Sequence, residues 1–192
     1  MKTFIILSIA GAVAFSSCNN NNATKENTSE KSADTTKSIK QTAGEVESTT
    51  PISDIVAGYI QVKNSLAKDN GNEAADGGKA ILSALAKVDK TSLSAEQKKA
   101  YEDVADDVKE NAEHIGENAG KLDHQREHFE MLSKDVYDMV KTFGAGQTLY
   151  QDFCPMYNDR KGAVWLSETK KMKNPYMGQK MSTCGSIKQE LK

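Results

Sequence analysis

The 192-residue chain balances 25 Lys+Arg against 27 Asp+Glu, for a formal charge of −2, and 38% of its residues are hydrophobic. Nothing in that balance is basic enough for a nucleic-acid binder, and the length suits one modest domain once its polar N-terminal stretch is set aside. After the first apolar segment, no second run is long enough to span a bilayer.

In chain order, Met1-Lys2 gives a short positive start, and Phe4 through Phe15 is an apolar core too short for a transmembrane helix. Ser16-Ser17 then lead into Cys18. That order describes a secretory signal with a cleavage site. The stretch Phe15-Ser16-Ser17-Cys18 resembles the lipobox of bacterial lipoproteins, with Phe15 standing where a leucine is usual. The resemblance implies that residues 1–17 are removed, that Cys18 is lipidated, and that the membrane is a partner through that anchor. Residues 18–50 are expected to be a lipidated cysteine and a disordered tether, since the segment has almost no large apolar side chains to offset its ordering entropy. As a flexible chain it would hold a domain about 30 Å from the lipid. In the lipoproteins that this stretch resembles, acidic residues just after the cysteine direct the protein to the cell surface. Asn19 to Asn22 carry no acid, so the resemblance implies an anchor in the cell envelope facing the periplasm.

Pro51 opens the expected domain, residues 51–192. Ile52, Ile55, Val56, Tyr59, Val62 and Leu66 recur at helical spacing, with Asp69-Asn70-Gly71 as a stop. A second stripe runs through Ala74, Ala75, Gly78, Ile81, Leu82, Leu85 and Val88. Two adjacent glycines, Gly77 and Gly78, weaken that helix and predict close packing or a bend. Ser94 with Gln97 is a capping-box start, and Tyr101, Val104, Ala105, Val108, Ala112 and Ile115 carry a third stripe toward Gly120. The fourth, from Leu122 through Phe129, Leu132, Val136, Met139, Val140 and Phe143, ends at Gly144. Four amphipathic helices with short connections predict an all-α fold, an antiparallel four-helix bundle. The remaining segment, about 146–185, lacks helical period and is rich in Cys, Met and aromatics, so it is expected to be an irregular loop packed on the bundle.

That loop holds the residues best suited to chemistry. Cys154-Pro155-Met156 and Met181-Ser182-Thr183-Cys184 each pair a thiolate with a thioether, soft donors that select Cu(I) or another soft metal over Mg or Ca. The alternative is a disulfide between Cys154 and Cys184, permitted by export and able to add about 3 kcal/mol by closing a loop of roughly 30 residues. His128 falls at the edge of the fourth helix's apolar face, where it could serve as a further ligand. His124 points farther toward solvent, His114 lies on the polar side of the third helix, and Arg126 is placed to clamp the loop through carbonyls or a carboxylate. No GxSxG, HExxH or P-loop occurs, so the chain is not expected to be an enzyme.

The set Gln125-Arg126-Glu127-His128-Phe129, Tyr150, Cys154-Pro155-Met156, Trp165-Leu166-Ser167, Asn174-Pro175-Tyr176, Gly178, Met181 and Cys184-Gly185 resembles the family of the domain of unknown function 3347. The likeness spans about residues 52–190. Met177 stands where that family usually has an aromatic, and Tyr157 where a small residue is common. The family occurs in Bacteroidetes-type lipoproteins and as a C-terminal module of periplasmic adaptors of heavy-metal efflux pumps. The resemblance implies a role in copper or soft-metal handling, with Cys154, Met156, Met181 and Cys184 as ligands, His128 next, and an efflux adaptor as a partner. The expectation is a membrane-tethered domain that binds copper or another soft metal for buffering or delivery to efflux. Its alternative is a disulfide-stapled protein-interaction module without metal.

Overall fold

The computed structural model describes residues 50–192; the expected signal segment, Cys18 and nearly all of the tether lie outside the described residues. Among the described residues, four helices come first: α1 (Ser53–Leu66), α2 (Gly71–Leu85), α3 (Ala95–Glu117) and α4 (Leu122–Phe143). Each packs on the next, and α4 returns to α1. Among the described residues, no helix is long and apolar enough to cross a membrane.

The helix boundaries follow local chemistry. Ser94 and Gln97 form the reciprocal capping box, each side chain accepting from the other's backbone N–H. Asn70 caps α2 through Glu73 N–H, so the expected stop after α1 is also the start of α2. The adjacent glycines in the middle of α2, Gly77 and Gly78, are places of backbone contact. A methyl group on Gly77 would meet Val62 N at 2.9 Å, and one on Gly78 would meet Ala112 O at 2.7 Å and Gly116 N at 2.9 Å. Helices α1, α2 and α3 therefore touch main chain to main chain, a separation that only a residue without Cβ permits.

The expected all-α class needs correction. The segment predicted as an irregular loop contains β1 (Leu149–Cys154), β2 (Ala163–Ser167) and a short 3₁₀ turn (Gly178–Met181), and β3 (Ser186–Leu191) follows directly after it. They form an antiparallel sheet of order β2-β1-β3, with Cys154 opposite Ala163 on one side and Phe153 opposite Ser186 on the other. The strand signal was weak because no strand alternates cleanly. A register shift interrupts β1 at Gln151/Asp152, β2 is buried at four of five positions, and only Leu191 of β3 is buried.

β2 lies on α4 and α1, and the seam is aromatic. Tyr59 stacks on Phe129 at 5.1 Å, and Tyr176 meets Phe129, Tyr157 and the edge of Trp165. Tyr59 is fully buried, and its hydroxyl accepts from Leu166 N–H at 2.9 Å and reaches Ser133 Oγ at 2.9 Å. One buried hydroxyl thus ties α1, α4 and β2 together, which satisfies a polar group that would otherwise be costly in the core.

Arg126 closes the structure from the other side, in the role its position suggested. Its Nε donates to Pro175 O at 2.9 Å, and its Nη2 donates to Leu66 O at 3.2 Å and to the Asp69 carboxylate. Asp69, held at a left-handed φ of 57°, also accepts from Gln179 N–H. The clamp joins α4, the α1–α2 turn and the 3₁₀ turn.

Candidate metal centre

Among the described residues, a group of side chains that could hold a metal ion lies between α3 and α4. Candidate donor atoms of His114, His124 and His128 all lie within 4.8 Å of one another, with each residue half-buried. His124 and His128 are one turn apart on α4, so they project along one line. The antiparallel hairpin brings His114 of α3 alongside: its ring stacks on His128 at 4.0 Å and 10°, and its Nδ1 is 3.4 Å from His124 Nε2. Two imidazole nitrogens bound to one tetrahedral ion at 2.0–2.1 Å would stand about 3.4 Å apart.

Asn111 fixes the third ring. Its amide nitrogen donates to Asp107 O, which leaves Oδ1 to accept from His128 Nδ1–H at 3.0 Å. With the proton on Nδ1, the lone pair of neutral His128 is at Nε2, the arrangement that orients metal-ligating histidines through an outer partner. Burial, reinforced by the neighbouring His114 and His124, lowers the His128 pKa and so favours the neutral ring. Parallel rings cannot both hold one ion in their planes, so capture requires the His114 ring to turn out of its stack on His128.

The surroundings are acidic. A cleft of about 340 Å³ beside His128 is lined by Asp107, Glu110, Asn111, Met131, Lys134 and Asp135. Burial, with the negative charges of Asp107 and Asp138, pushes the Asp135 carboxyl up to about 6. Met131 is 43% exposed, which leaves its thioether free at the same cleft.

Of the residues expected to form one soft-metal site, the two cysteines are brought together, and His128 joins a group with His114 and His124. Cys154 and Cys184 meet with their Sγ atoms 3.1 Å apart and both thiols free. His128 is drawn to Asn111 and the other two histidines. Met156 is 48% exposed, and Met181 contributes its carbonyl to Cys184 N–H at 3.0 Å. Sequence reasoning passed over His114 and His124 because each lies toward the polar side of its own helix. Where two antiparallel helices pack, those polar edges meet along the seam. The signal available was the H-x₃-H spacing of His124 and His128, with a third histidine ten residues upstream across a short turn.

The model of the family described as protein of unknown function (DUF3347) matches residues 55–148, from α1 through α4 to the threshold of β1. No curated protein and no solved structure matches the chain.

Proposed function

The chain belongs to the DUF3347 family, and from that premise we propose that it is a metal-binding domain whose ion is held by His114, His124 and His128. The observation that carries this reading is the convergence of three imidazoles, one with its tautomer set by Asn111. Imidazole donors suit copper, zinc and nickel, and among divalent ions the affinity order favours copper. The free thioether of Met131 beside His128 adds a soft donor that copper accepts more readily than zinc does. The acidic cleft favours any cation on approach.

The rest of the proposal concerns place. Lipid on Cys18 would hold the domain at a membrane of the cell envelope, on the periplasmic side, where it could buffer copper or pass it to an efflux adaptor. The signal-like residues 1–17 and the polar stretch after Cys18 support this. Cys18→Ala should move the protein from the membrane fraction to the soluble fraction. A variant still recovered with membranes would exclude the lipid anchor.

Calorimetric titration of Cu(II), Zn(II) and Ni(II) tests the centre itself. One equivalent is expected, with copper tightest. His124→Ala and His128→Ala should each weaken binding at least 100-fold, and Asn111→Ala about 10-fold through loss of the outer partner. Copper affinity unchanged in both histidine variants would exclude the triad.

A further inference from the structure

Away from the histidines, the sheet brings together two thiols that the metal reading does not use. Cys154 ends β1 and is fully buried, whereas Cys184, just before β3, is half-buried. The pairing of Phe153 with Ser186 makes the cysteines near neighbours across adjacent strands. Their sulfurs are 3.1 Å apart, inside the roughly 3.7 Å that two thiolates keep around a tetrahedral ion at about 2.3 Å. An ion would have to push the strands apart, whereas a sulfur–sulfur bond needs only a further approach.

The backbone around Cys184 is braced against such spreading. Asn174 is completely buried; its Nδ2 donates to Cys184 O at 2.7 Å and its N–H to Ser182 O at 2.9 Å. Its Oδ1 accepts from Tyr176 and Met177 N–H, which locks the amide's orientation. Gly185 follows at φ 142°, where a methyl group would meet Phe153 O at 2.9 Å and Trp165 at 3.0 Å. The tight turn that delivers Cys184 to Cys154 therefore depends on a glycine at that position.

From this geometry we infer that Cys154 and Cys184 form a thiol–disulfide exchange centre, with Cys184 as the attacking thiol and Cys154 as the resolving one. The Cys184 thiolate attacks one sulfur of a partner disulfide; that disulfide breaks and its other half leaves as a thiolate. Cys154, as its thiolate, then attacks Cys184 Sγ, forms the Cys154–Cys184 bond and expels the second half. The two protons given up by the cysteines pass to the two leaving thiolates. Two protein thiols are oxidised and one partner disulfide is reduced to two thiols, and an excess of partner thiol drives the reverse. The order of attack follows from access, since only Cys184 reaches the surface. The contact with Cys154, aided by burial, raises the Cys184 thiol pKa, so exchange should quicken as the solution becomes more alkaline.

The test equilibrates the full-length protein with mixtures of reduced and oxidised glutathione, blocks free thiols, and reads tryptic peptides by mass. Residues 142–160 carry Cys154 and residues 181–188 carry Cys184, so neither is confused with Cys18. The expected result is joint, reversible loss of both thiols as the mixture becomes oxidising. Cys154→Ser should accumulate glutathione on Cys184, and Cys184→Ser should leave Cys154 largely unmodified. Three results would overturn the proposal. One is independent oxidation of the two cysteines, another a bond that no glutathione ratio reduces, and the third protection of both thiols by added Cu(I) or Zn(II) without oxidation. The first two need only the wild-type protein, so they stand even if a variant folds poorly.

Discussion

In the α3–α4 hairpin, the side chains of the candidate site are placed by local periodicity; in the sheet, the paired thiols are placed by register between segments thirty residues apart. His124 and His128 are aligned because a helix turns every 3.6 residues, and one short connection supplies His114. Cys154 and Cys184 meet only because β3 returns beside β1, with the buried Asn174 holding the turn before it. The first arrangement tolerates movement of the sheet. The second fails as soon as the turn that delivers Cys184 is displaced.

The widest separation of the two regions should come from Arg126→Ala. It removes the donors for Pro175 O and Leu66 O and strips Asp69 of its cation, a loss of about 3 kcal/mol in urea unfolding. Native-state hydrogen exchange should show the amides of residues 174–185 losing protection first, while α3 keeps its own. Uniform loss across the chain would mean that the two regions stand or fall as one.

A smaller effect confined to the helical side should follow Asp135→Asn. The folded protein raises this carboxyl from 3.8 to about 6, so its charged form is disfavoured by folding. Stability is therefore lost as pH climbs from about 4 to about 6, and the loss is complete above that window. Asparagine avoids it, with an expected gain of roughly 1 kcal/mol at pH 7.5, allowing for the residue's partial exposure, and little or none at pH 3.5. Equal gains at the two pH values would show that packing rather than charge is responsible.

This contrast also explains what the sequence made legible. All four helices were readable, because the stripes from Ile55 to Phe143 and the Ser94–Gln97 box are local signals. Gly77–Gly78 and Arg126 were readable too, since a glycine pair in an apolar stripe and a cation on a packed face have few structural uses. The sheet was not, because its strands are short, bulged or almost wholly exposed, and their pairing is non-local. The histidine site was half readable. His128 was noticed on its own helix, but the seam that brings in His114 belongs to the packing of two helices.

Gly78 docks against α3 at Ala112 and Gly116, the residues on either side of His114. Contact of that kind has no layer of side chains to slide over, so it resists shear, and α3 cannot translate to suit an arriving ion. Adjustment is left to the torsions of the imidazoles themselves. Such a frame discriminates by limiting the positions that the turning rings can reach: an ion whose shell fits within that range would be retained, and one that demands a wider shell would be released.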